Sequence, residues 1–248
     1  MLKIFVLSIL FYNLLFSIDN DFDGVEDTND KCLNTSFLDT VDIYGCPNNR
    51  LYLGKISLEY QYQIQKATSS TYYINSYLID VDYKKYLFSY YKSYIKIDST
   101  SYTGDDYFSL GYMFNQTLFT NKTYLGIKKA NKISQISTNK DDYFINTTFD
   151  YTFSQNLLYS IFLQYTNTNY INYFTYNISS TYYKNDFQYI LDYTNSGSTN
   201  KTMNEYQNIK LSFLYNFKNN IYTKLFYDKS LINSDEYSFG FNIGYNFD

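Results

Sequence analysis

The chain has no histidine, no tryptophan and a single proline, and its only two cysteines are Cys32 and Cys46. Histidine is the side chain that titrates near neutral pH and serves most often as general acid or base, so its absence weighs against acid–base catalysis. Alanine, the best helix former, is almost missing. There is no long basic run and the net charge is −4, so nothing points to nucleic acid. Beyond Phe16 polar residues interrupt every apolar run, which excludes a membrane-spanning helix of about 20 residues. What the chain does have is 34 Tyr and 21 Phe, 22% aromatic residues in all, set among Asn, Ser and Thr. Tyr, Phe, Ile and Thr favour strands, so the chain reads as nearly all β. A soluble sandwich would need a core of Val, Leu and Ile. Tyr instead suits surfaces that are apolar at one end and wet at the other. The length of 248 residues allows one ordinary domain or one medium barrel.

Residues 1–17 have the form of a secretory signal peptide. Lys3 supplies a positive charge, Ile4 to Phe16 an apolar stretch, and Ser17 a small residue at a cleavage point. Residues 18–50 form a second segment. It opens on Asp19, Asp21, Asp23, Asp27 and Asp30, with Gly24 at the sixth position and the Val25 carbonyl at the seventh. Carboxylates at that spacing repel one another unless a cation lies between them. The glycine permits the sharp turn of a calcium loop. The alternative is a solvated acidic linker. A helix–loop–helix calcium module is excluded, because about one residue would precede the loop after cleavage. In an exported chain the two cysteines imply a disulfide, and closing a loop of this size contributes about 3 kcal/mol in the chain-entropy account.

The run from Asp19 to Thr35, followed by Val41-Asp42, Gly45-Cys46 and Pro47, resembles a thrombospondin type 3 repeat over about 30 residues. The resemblance implies Ca2+ on Asp19, Asp21, Asp23, Asp27 and Asp30, and pairing of Cys32 with Cys46. Such repeats occur in bacterial outer-membrane proteins of the OmpA type. Leu33 departs from the usual proline. The repeat also precedes the β-rich region, whereas in those porins it follows the barrel and leads to a peptidoglycan-binding domain, so cell-wall anchoring is not inherited.

Residues 51–248 carry a period of two, the mark of an antiparallel transmembrane β-barrel. In the last segment Tyr237, Phe239, Phe241, Ile243, Tyr245 and Phe247 alternate with Ser238, Gly240, Asn242, Gly244 and Asn246. Ile56, Leu58, Tyr60, Tyr62 and Ile64 alternate with Ser57, Glu59, Gln61 and Gln63. Tyr143 to Phe153 follows suit, except that Phe144 breaks the polar face. Short turns near residues 83, 116, 155, 185 and 219 alternate with longer loops, among them 65–70, 98–105, 134–141, 195–204 and 230–235. That gives about 12 strands, with 10–14 allowed because the alternation is weak between Tyr83 and Ile133, and an even number puts both termini in the periplasm. The end, Gly244 to Asp248, resembles the C-terminal strand read by barrel-assembly machinery, although Asp248 follows the aromatic residue. The expected setting is the outer membrane of a Gram-negative bacterium, among its lipid and lipopolysaccharide, with the oligomeric state open.

Barrel phospholipases, lipid A deacylases and omptin-type proteases, as families, rely on a histidine, so an enzyme is not expected. Asp105-Asp106 and Asp141-Asp142 read as solvated loop tips. The inward residues expected from the alternation include Glu59, Gln61, Asp150, Lys210, Lys224 and Asn242, polar and of both signs. They suit a narrow, weakly selective pore for small solutes, or a closed hydrogen-bonded interior in a structural or adhesive protein.

Overall fold

A computed structural model describes residues 25, 27–33, 35, 41, 44–46, 55–67, 70–97, 100–115, 119–131, 141–168, 172–198, 206–233 and 235–247. The chain divides into two compact units, residues 1–53 with 114–116, and residues 54–113 with 117–248.

In the first unit Cys32 and Cys46 are disulfide-bonded, with Cα atoms 5.0 Å apart. The connection is reinforced locally. Lys31 N donates to the Tyr44 carbonyl at 2.8 Å, and Thr35 Oγ1 donates to the Gly45 carbonyl at 2.7 Å. The Lys31 ammonium lies 3.7 Å from the Tyr44 ring centroid. Gly45 has φ of 73°, a left-handed turn conformation that a glycine adopts without strain.

The second unit is built on twelve strands: β1 (Lys55–Lys66), β2 (Thr71–Tyr83), β3 (Tyr86–Ile97), β4 (Thr100–Asn115), β5 (Phe119–Lys129), β6 (Asp142–Ser154), β7 (Leu157–Asn167), β8 (Tyr173–Lys184), β9 (Phe187–Ser198), β10 (Tyr206–Asn216), β11 (Ile221–Ser230) and β12 (Tyr237–Phe247). Each strand pairs with its neighbour in sequence, and β1 pairs with β12 antiparallel, which closes the barrel and leaves no edge. The strand number is the middle of the expected range.

The barrel is inside out. Among the described residues the buried apolar side chains are Leu87, Ala130 and Phe226, whereas the buried polar ones include Ser76, Thr181, Asn208, Ser212, Ser238 and Asn242. Leu110, Leu125, Leu191, Leu211, Leu225 and Phe239 are among the many large apolar residues left exposed. A soluble monomer does not expose an apolar band around its whole circumference, whereas a barrel in lipid must. Aromatic pairs stand at the strand ends that carry the short turns, among them Tyr86–Tyr112 at 6.0 Å, Phe187–Tyr215 at 4.7 Å and Tyr245–Phe247 at 4.5 Å between ring centroids, and others, such as Tyr77–Tyr94, lie at mid-strand. The strand ends are where a girdle meets the headgroups.

The two-residue turns Lys84-Lys85 and Asn185-Asp186 begin on residues of positive φ, each at 54°. Hairpins of this length need that backbone to match the strand twist. The connections at the opposite end include 130–141, 199–205 and 231–236. Two expected loops are shorter than the sequence suggests, because β4 already begins at Thr100 and β9 continues to Ser198. In both cases Tyr, Thr and Ser prolong strands past what had read as turn composition.

Candidate functional site

The candidate site is the inward face of the barrel. Residues directly opposite in an antiparallel ladder share a face, so the exposed aromatic row of β12 fixes the orientation of every strand. Glu59, Gln61 and Gln63 of β1 pair with Gly244, Asn242 and Gly240, the buried row of β12. The same logic turns Asp80 and Asp82 of β2, Lys122 and Lys128 of β5, Asp142 and Asp150 of β6, Asp192 of β9, Lys210 of β10, and Lys224 and Asp228 of β11 inward. All six residues expected inward, Glu59, Gln61, Asp150, Lys210, Lys224 and Asn242, lie on this face.

Their charges are held in local networks. Glu59 accepts from Tyr222 Oη at 2.8 Å and from Asn242 Nδ2 at 2.5 Å. Lys122 approaches Asp82 at 3.9 Å. Ser160 donates to Asp150 at 2.5 Å. Lys210 stands opposite Asp192 on one neighbouring strand and Asp228 on the other, with its ammonium 4.6 Å from the Phe226 ring centroid. Near the long-loop end Lys128 is clamped between Asp142 and Asp105, the latter at 3.6 Å.

Here the structure corrects the expectation of solvated loop tips. Asp105 and Asp106 lie within β4, at a register shift opposite Lys92 and Tyr94. Asp105 pairs inward with Lys128. Asp106 pairs outward with Lys92 at 2.7 Å and accepts from Tyr90 Oη at 2.7 Å. Asp141 pairs with Lys129 at 2.6 Å, and Asp142 with Lys128. Each carboxylate is ion-paired, and neighbours in sequence are split between partners.

Aromatic rings enter the interior over glycines. A side chain at Gly126 would collide with the Phe144 ring, one at Gly240 with Phe226, and one at Gly244 with Tyr222. Each of these pairs is directly cross-strand. Phe144, which interrupts the polar alternation of β6, is thus accommodated by the missing side chain at Gly126. The sequence offered no signal for this, since the glycine and the ring lie on different strands.

Of the residues expected to hold calcium, Asp19, Asp21 and Asp23 lie outside the described residues. Val25, Asp27 and Asp30 are described. Asp30 Oδ1 accepts from Cys32 N at 2.7 Å, and its Oδ2 is buried without a hydrogen-bond partner. Among the described residues no three potential ligands converge on one point. An unpartnered buried carboxylate oxygen is the kind of atom a cation satisfies, and Asp30 Oδ2 is one such atom. The signal peptide expected at residues 1–17 also lies outside the described residues.

No family model matches the chain, and no curated protein matches it in sequence. Solved structures do match in fold. The NanC porin is similar at a TM-score of 0.62 and 12% identity, over 76% of this chain and 98% of that one. The KdgM porin is similar at 0.61 and 11% identity, over 77% and 99%. A complex of the KdgM porin with disordered oligogalacturonate is similar at 0.59 and 12% identity, over 77% and 99%. At these identities the likeness establishes the fold, a closed antiparallel barrel of the kind seen in outer-membrane porins.

Proposed function

We propose that the chain forms a narrow channel for small solutes in the outer membrane of a Gram-negative bacterium. The observation that carries this reading is the inverted barrel, apolar outside and polar with charges inside, at a strand number between filled and wide-open barrels. Passage of solutes needs wetted groups along the path, and Glu59, Gln61, Asp150, Lys210, Lys224 and Asn242 supply them. The oligogalacturonate of the KdgM complex is not carried over to this chain. Proteoliposome swelling tests the channel: folded protein should let small neutral sugars enter and retard larger ones, and vesicles that swell no faster than protein-free controls would refute it. A closed structural barrel is the second reading, favoured by the rings of Phe144, Phe226 and Tyr222 that project inward.

We further propose that residues 1–17 are a cleaved signal peptide. Residues 18–50 would then be a periplasmic lead-in that binds Ca2+ through Asp19, Asp21, Asp23, the Val25 carbonyl, Asp27 and Asp30. The orphaned Asp30 Oδ2 supports the last of these ligands. Bound calcium would neutralise the mutual repulsion of the carboxylates next to the disulfide. Calorimetry on the full chain should give calcium heats that Asp30→Asn weakens, and no heat at millimolar calcium would refute the site. Assembly by barrel-assembly machinery and contact with lipopolysaccharide follow from the same reading.

A further inference from the structure

We propose that the interior of the barrel selects cations over anions. This rests on the channel reading above and specifies the class of solute that the channel favours. On the inward faces of the strands, among the described residues, eight carboxylates face five lysines. One of the five, Lys55, is exposed at the very start of β1.

The arrangement matters more than the difference in number. Lys128 lies between Asp105 and Asp142, with all three side chains at most 12% exposed. Lys210 is flanked by Asp192 and Asp228 on both neighbouring strands. Lys122 leans on Asp82. Three of the four lysines within the barrel therefore carry their own counter-charge, and two of those three face two carboxylates each. Lys224 lacks a carboxylate directly opposite, since its cross-strand partners are Leu214 and Asn242.

The carboxylates, by contrast, are not all answered. Glu59 accepts hydrogen bonds from neutral donors, Tyr222 and Asn242, and shares Lys210 with Asp192 and Asp228. Asp150 is held by Ser160. Asp80 shares its surroundings with Asp82 and Glu59 as well as Lys122. Neutral donors fix a carboxylate's position and leave its charge in place. A water-filled passage with low-dielectric walls focuses such a field, and carboxylate-lined constrictions are the usual device of cation channels. The same field opposes a polyanion such as an acidic oligosaccharide.

The test is the reversal potential of the purified full-length protein in a planar bilayer under a tenfold KCl gradient. The expected sign is that of potassium, with a permeability ratio of potassium to chloride several-fold above one. The ratio should fall when the total salt is raised from 0.1 to 1 M, as the screening length shrinks from about 10 to 3 Å. Asp80→Asn combined with Asp82→Asn, both inward and outside the six residues named above, should lower the ratio at least twofold while single-channel steps persist. Each single replacement should lower it less, which keeps the test open if the double variant does not fold. A reversal potential at zero or of chloride sign overturns the selectivity and leaves the channel standing. A ratio indifferent to these replacements overturns its assignment to the carboxylates. A folded barrel without conductance steps overturns both readings.

Discussion

At the scale of single residues, the outward face is governed by the cost of placing polarity in hydrocarbon. Leu225 is 50% exposed at the middle of β11, and its neighbours along the strand, Lys224 and Phe226, point inward. Leu225→Lys should destabilise the folded barrel by about 2–4 kcal/mol if it lies near the bilayer midplane. Urea titration in lipid vesicles, followed by tyrosine fluorescence, would measure it. A cost near zero would mean that this face meets water. The outward polar cluster of Asn121, Thr123 and Thr147 obeys the same rule by satisfying itself. Asn121 Nδ2 donates to Thr147 Oγ1 at 2.8 Å, and the Thr123 and Thr147 hydroxyls are 2.9 Å apart. In the first unit, Cys32 and Cys46 should resist maleimide labelling until the protein is reduced. Replacing both with serine should cost the local segment about 3 kcal/mol while the barrel keeps its heat-modified gel shift. Labelling without reductant would contradict the pairing.

At the scale of elements, the ring-over-glycine pairs tie neighbouring strands together from the inside. A side chain at Gly126 has no room while Phe144 keeps its place. Gly126→Val should therefore lower the temperature at which the barrel loses its folded gel mobility by several degrees, and combining it with Phe144→Ala should restore part of the loss. No rescue in the double variant would mean that the two positions do not compete for one space.

These pairs also explain which elements were legible in the sequence. β12 was clear because Tyr237 to Phe247 alternates without a fault. β3 and β4 were not, for two physical reasons. Lys92, Lys96 and Asp106 stand on the outward face, where Lys92 and Asp106 neutralise each other, while Leu87 and Ile95 point inward. The register shift between Lys92 and Tyr94 then breaks the period itself. Most of the inward residues were readable because large apolar residues flank them, such as Phe149 and Tyr151 around Asp150 and Ile209 and Leu211 around Lys210. The pairing of each charge with its partner was not, since Lys210 meets Asp192 and Asp228 only once three strands are laid side by side.

At the scale of the whole molecule, the exterior, the closure and the interior describe one object. The closed ladder leaves no strand edge open to lipid, as a barrel in hydrocarbon requires. The folded protein should resist carbonate extraction from membranes and migrate faster on gels before heating than after. Release into the soluble fraction would contradict a membrane setting. The measurement that bears most directly on the central claim is single-channel recording of the folded, full-length protein in a planar bilayer. Discrete, reproducible conductance steps are the predicted result. A protein verified as folded by its gel shift that inserts and gives no steps at all would contradict the channel.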